Sequence, residues 1–130
     1  MPIFIWKLQV MEIEIKDSRS LKEIQEEFNH RYPFLKIEFY SKPHKEHEGT
    51  SGEYVMSGDI TIGEARKSHE TGDLKIHGNM NVGTLEKDFH NIYGLNVQVF
   101  RKSGDVWLQT TSTDDWSLSE QNNEGLEMSR

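Results

Sequence analysis

Ser20-Leu21-Lys22-Glu23-Ile24-Gln25-Glu26-Glu27-Phe28-Asn29-His30-Arg31-Tyr32-Pro33-Phe34-Leu35-Lys36-Ile37-Glu38-Phe39-Tyr40 changes its apolar period once, and that change sets the architecture. Leu21, Ile24, Phe28 and Tyr32 recur at the spacing of one helical face, whereas Leu35, Ile37 and Phe39 alternate as in a half-buried strand. Ser20 and Glu23 have the spacing of a capping box, which starts the helix. Pro33 pushes the residue before it out of the helical region, which stops it. The stretch therefore predicts helix, tight turn, strand.

The same grammar returns about sixty residues later. Ser20, Leu21, Ile24, Phe28 and Tyr32 reappear as Asn81, Val82, Leu85, Phe89 and Tyr93; Leu35, Ile37, Phe39, Tyr40 and Lys42 reappear as Leu95, Val97, Val99, Phe100 and Lys102. Asn81 is a good N-cap, and Gly94 supplies the left-handed residue that ends the second helix. Outward from these cores, residues 73–77 read as a short strand before the second helix, and 95–102 and 106–111 as a hairpin closed by Ser103-Gly104-Asp105. The first strand is expected over 3–15. Phe4, Trp6, Leu8 and Val10 share one parity and Met11, Ile13 and Ile15 the other, so either a bulge switches the buried face or residues 1–10 form an extra strand that pairs elsewhere.

Two β-α-β units of this kind pack most simply as an α+β, ferredoxin-like two-layer sandwich: an antiparallel sheet with two helices on one face and an extra C-terminal β-hairpin. One domain is expected over residues 1–120, with a long flexible loop at about 43–72. Within that loop Tyr54-Val55-Met56 suits a strand beside 34–41, and 60–66 suits one or two helical turns. Ser117 and Glu120 could cap a last turn of helix, and residues 121–130, poor in apolar side chains, are expected to be a disordered tail.

Composition removes several function classes. There is no cysteine, which excludes disulfides, thiol catalysis and cysteine metal sites, and makes a cytoplasmic setting the expectation. The apolar opening Met1-Pro2-Ile3-Phe4-Ile5-Trp6 has no basic segment before it and is interrupted by Lys7, so neither a signal peptide nor a membrane span is expected. A net charge of −7, from 22 acidic and 15 basic residues, repels phosphate backbones and anionic lipid; nucleic acid and membrane are not expected partners.

The candidate sites are few. His44 and His47, with Glu46 between them, could chelate a metal if their segment formed a helical turn, although Pro43 and Gly49 favour a loop. Asp114, Asp115 and Trp116 follow a run of hydroxyl residues and could bind a polar ligand, with His77 and His90 as possible companions beneath the 43–72 loop. The plainer roles are turn hydrogen bonds for the aspartates and threonines, core cover for Trp116, and a favourable helix-end charge for His90. Trp107, Phe100, Tyr40 and Phe39 lie on strands, where core or interface packing suits them better than base stacking. No phosphate-cradling glycine loop, zinc-protease motif or nucleophile elbow occurs.

Two readings remain. The first is a non-enzymatic protein-interaction or regulatory module, self-associating as a homodimer or binding a protein partner through residues 1–10 or the final hairpin, with no cofactor. The second is a small-molecule or metal-binding protein, with an enzyme as a lesser possibility, whose site lies under the 43–72 loop near Asp114 and Asp115.

Overall fold

The computed structural model describes residues 10–44, 47–49 and 51–130. Strand β1 (Val10–Ile15) leads into helix α1 (Leu21–Arg31) and strand β2 (Leu35–Tyr40). A 3-10 turn at Gly52–Tyr54 and a short helix α2 (Ile62–Ala65) complete the first half. The second half repeats the order with β3 (Gly72–His77), α3 (Val82–Tyr93), β4 (Asn96–Ser103), β5 (Val106–Gln109) and α4 (Leu118–Met128). The apolar stretch 1–9, and with it the choice between a bulge and an extra strand, lies outside the described residues.

Both helix–strand units form as their sequences dictate. The Ser20 hydroxyl accepts from the Glu23 amide at 3.2 Å while the Glu23 carboxylate accepts from the Ser20 amide, also at 3.2 Å, closing the capping box. Gly94 ends α3 with φ at +67°. Asn81 occupies the N-cap position of α3 but makes no side-chain capping bond; backbone from elsewhere in the chain takes the first amides instead.

The chain is α+β with antiparallel strands, but the single sheet expected from the element order is replaced by two. Among the described residues β1 pairs with β3, and β4 lies between β2 and β5. The β1–β3 and β2–β4 pairings each join a strand to its own counterpart in the other half, whereas β5 pairs with β4 as a hairpin within the second half. Ile13 lies opposite Leu74, sixty-one residues on, and Glu38 lies opposite Gln98, sixty residues on. A residue facing its own counterpart marks a local two-fold axis, so the halves are related by a pseudo-two-fold that passes through both strand pairs.

The repeat extends beyond the part visible in the sequence. The Leu21 amide donates to the Ile60 carbonyl as Val82 does to Trp116, both at 3.0 Å. Ile62 donates to Arg19 as Leu118 does to Met80, at 2.8 and 2.9 Å. Lys22 donates to Gly58 as Gly83 does to Asp114, at 2.9 and 2.7 Å, and Gly63 donates to Asp17 as Ser119 does to Gly78, at 3.1 and 3.0 Å. In each half two helix N-termini thus cross and cap one another, with Ser20 bridged to Thr61 and Asn81 to Ser117. The close approach takes glycine on the later segment in the first half (Gly58, Gly63) and on the earlier segment in the second (Gly78, Gly83).

The core is drawn from both halves. Leu21, Ile24 and Phe28 of α1 and Val82, Leu85 and Phe89 of α3 are fully buried, with Ile37, Phe39 and Val99 from the three-stranded sheet and Ile13, Ile15 and Ile76 from the two-stranded one. Phe39 and Phe89 meet edge-to-face at 5.9 Å, one from each half.

One expectation is corrected here. Residues 121–130 are not a disordered tail: through Met128 they continue α4, which docks with few apolar side chains. The Gln121 side chain is fully buried and donates to the Thr113 carbonyl at 2.7 Å while accepting from Arg101, also at 2.7 Å. Asn122 accepts from the Phe34 amide at 3.0 Å, and a side chain at Gly125 would meet the Phe34 Cβ at 2.6 Å. Amide hydrogen bonds and a glycine contact thus replace the apolar stripe whose absence suggested disorder. Within the 43–72 stretch, by contrast, the pieces at 54–56 and 60–66 form where the sequence placed them. Val55 bridges Tyr40, the Met56 amide donates to the Phe39 carbonyl at 2.8 Å, and a capping box at Thr61 starts α2.

Candidate functional site

α3 presents two faces with different chemistry. Val82, Leu85, Phe89 and Tyr93 enter the core, and Gly83, Glu86, Lys87, His90 and Asn91 line a cavity of about 160 Å³. The opposite wall comes from Pro43 and His44 after β2, from Asn96 and Val97 at the start of β4, and from Asp114. The pocket therefore lies where the first half's chain crosses the second half's helix. Its volume equals about five water molecules.

Glu86 is the decisive side chain. It is only 8% exposed, yet it is a carboxylate. One oxygen, Oε2, accepts from the Val99 amide at 3.0 Å. The other, Oε1, has the His44 Nε2 at 3.5 Å, too long for a full hydrogen bond, and that nitrogen is also 3.3 Å from the Val97 carbonyl. Two oxygens facing one ring nitrogen place its proton there. Burial pushes the Glu86 carboxyl up to about 7; the Val99 amide and His44 oppose that rise, and the Asp114 charge adds to it.

Asp114 is held from two directions. Its backbone carbonyl accepts from Gly83, which fixes it at the start of α3, and its side chain is 6% exposed. The carboxylate accepts from the His47 amide at 3.1 Å and pairs with the His47 Nδ1 at 2.8 Å. At the mouth, the exposed His90 has its Nδ1 2.9 Å from the Asn96 Oδ1, which makes Nδ1 the donor; in the neutral ring Nε2 is then an acceptor.

Of the residues singled out by sequence, the pocket brings together His44, His90 and Asp114. His47 reaches it through Asp114. His77 is exposed at the end of β3, opposite Val10. Asp115 is exposed, and Trp116 turns away from the cavity to lie under the Arg101 guanidinium, 5.5 Å from its ring centre. His44 and His47 face different carboxylates, Glu86 and Asp114, and among the described residues no three histidine or carboxylate side chains are arranged to hold a metal ion.

Glu86 and Gly83 escaped the sequence reading, although both left a signal there. Val82, Glu86, Phe89 and Tyr93 fall on one helical row, and the matching row in the first half is Leu21, Gln25, Phe28 and Tyr32. A carboxylate within an apolar row is a buried charge waiting for a partner.

A second cluster joins the halves. The Arg66 side chain, fully buried, donates to the Asp17 Oδ1 from Nε at 3.2 Å and from Nη2 at 2.9 Å, to the Tyr93 carbonyl at 3.0 Å and to the Glu70 carbonyl at 2.7 Å. His69 approaches the other Asp17 oxygen at 2.6 Å. The Arg66 hydrogen bonds, with desolvation opposing and His69 assisting, hold the Asp17 carboxyl below its usual range. This cluster ties the turn after β1 to the 66–70 segment and the end of α3.

Comparison with protein-family models, with curated proteins and with solved structures gives no match. No helix among the described residues is long and apolar enough to cross a membrane.

Proposed function

We propose that the chain is a binding domain for a small polar molecule, with its site in the cavity between α3, the start of β4 and the segment at His44. The observation that carries this is Glu86: a carboxylate almost wholly removed from water, one oxygen short of a full hydrogen bond, at the wall of a cavity. Such a group costs folding free energy unless something else selects for it, and perturbed buried acids concentrate at functional sites. The pocket offers acceptors and a donor but no nucleophile paired with a base, so binding rather than covalent catalysis is the function it suits.

Amide-resolved NMR with a panel of small cations, anions and neutral molecules tests this. Shifts should gather at Gly83, Lys87, His90, Asn96 and Asp114. A panel that leaves all five amides in place would refute the proposal.

A self-associating interaction module is the second reading, and one observation favours it. Val106 and Leu108 of β5 are 56% and 43% exposed on a strand whose one partner among the described residues is β4, an apolar edge of the kind that takes strand addition. A sedimentation series that gives the 15.2 kDa monomer at all concentrations would remove it.

A further inference from the structure

The pseudo-two-fold supplies an internal control for the pocket, because three of its wall residues, Gly83, Glu86 and Asp114, have counterparts in the first half. Glu86 corresponds to Gln25, Gly83 to Lys22 and Asp114 to Gly58. The first-half version is closed and self-satisfied. Gln25 donates its amide to the Ile37 carbonyl at 3.1 Å and to the Glu38 carboxylate at 3.2 Å. A side chain at Gly58 would meet the Lys22 Cβ and the Gln25 Oε1, both at 3.1 Å. In the second half an amide becomes a carboxylate, a lysine becomes a glycine and a glycine becomes an aspartate. Each exchange removes a donor or a volume, or adds an acceptor.

We infer that the pocket takes a small organic cation, an alkylammonium or guanidinium group, whose N–H donors are received by Glu86, Asp114 and the His90 Nε2. This rests on the cavity being a ligand site, as proposed above. Glu86 lines the cavity with its Oε1 3.5 Å from the His44 Nε2, and a neutral His90 that donates from Nδ1 to Asn96 presents Nε2 as an acceptor. A ligand with several donors and a positive charge completes both, and charge-assisted bonds to carboxylates are the strong kind. An anion would meet two carboxylates in a poorly hydrated space. The cavity holds about five waters' volume, which suits a group of this size. A chain of net charge −7 also draws cations toward it.

Binding has a proton signature. Glu86, facing His44 from the segment after β2, Asp114 from the segment after β5, and Lys87 and His90 on its own helix, holds its proton to about pH 7; a cation displaces it. Methylguanidinium and propylammonium, with acetate and acetamide as anionic and neutral counterparts, are the probes. They are titrated at pH 6.5 by amide-resolved NMR, and by calorimetry in two buffers of different ionisation enthalpy. The inference expects the cations to shift the pocket amides, to release protons, and to bind roughly tenfold or more weakly to Glu86→Gln, while Glu26→Gln on α1 binds as the parent does. Acetate or acetamide binding in the pocket without the cations overturns the cation inference and leaves the pocket a ligand site. Silence from all four probes overturns both. Cation binding with no proton release, or undiminished in Glu86→Gln, overturns the role given to Glu86.

Discussion

Replacing Glu86 by glutamine should make the protein more stable at pH 8 and leave it nearly unchanged at pH 5. Glutamine keeps the volume and keeps an oxygen for the Val99 amide, but it removes the charge. The folded chain holds the Glu86 proton up to about pH 7, whereas an ordinary glutamate loses it near 4.5. Between those values the folded state binds a proton that the unfolded state has released, so stability falls as pH rises through the window. The full cost is in place above about pH 7. The separation corresponds to about 3 kcal/mol for this one group. The attraction of His44 is lost with the charge, and an amide NH₂ facing the His44 Nε2–H is a poor neighbour, so the variant should recover about 2 kcal/mol of it at pH 8. Urea titrations of parent and variant at pH 5, 6.5 and 8 give the difference directly, because all other carboxylates are common to both proteins and cancel. A variant less stable than the parent at pH 8, or one whose advantage is the same at pH 5 and pH 8, would refute the account of a charge kept in the pocket at the expense of stability.

Other substitutions probe the frame that builds the site. Arg66→Ala should cost about 3 kcal/mol in urea unfolding, since it strands the Tyr93 and Glu70 carbonyls and frees Asp17; Arg66→Lys should recover little, because an ammonium cannot reproduce the fork. Gly125→Leu should lift α4 from Phe34 and Arg101 at a cost of about 1–3 kcal/mol, with faster hydrogen exchange confined to α4 and its partners; exchange unchanged there would contradict the packing. Ser20→Ala removes one half of the α1 capping box and should lower stability by about 1 kcal/mol, read as a shift in urea midpoint at constant slope. Acidification should also weaken the Asp17 tie. Its carboxyl is held below the ordinary 3.8 when folded, so its contribution is present above that value and lost as pH falls below it; unfolding of Asp17→Asn should be less acid-sensitive than that of the parent.

The expense at Glu86 fits the asymmetry between the halves. Where the first half satisfies its polar row with Gln25, the second keeps a buried carboxylate that the fold does not need. A stable scaffold that is locally inconsistent at one place is the usual mark of a binding site. The same scaffold explains how the site is held. The Asp114 backbone is fixed by its bond to Gly83, and α3 is fixed by the core row of Val82, Leu85, Phe89 and Tyr93.

Local elements and their ends were written in the sequence. The capping box at Ser20, the stop before Pro33, the left-handed Gly94 and the alternation in 35–39 and 95–99 each depend on neighbours within four residues, so period and composition report them. The register of the repeat also emerged, because one apolar pattern serves both helices. What remained to the tertiary structure depends on contacts between distant segments. Which strands pair, and that β1 meets β3 and β2 meets β4 across a two-fold, follows from how the two cores share one interior. α4 was illegible because Gln121, Asn122 and Gly125 dock through hydrogen bonds and close approach, which leave no apolar period. The pocket was half legible: the helical row of Val82, Glu86, Phe89 and Tyr93 hinted at the burial of Glu86, but only folding brings His44, His90 and Asp114 to it. Short-range rules determine which elements form; long-range packing decides which polar groups, Glu86 among them, are buried between them.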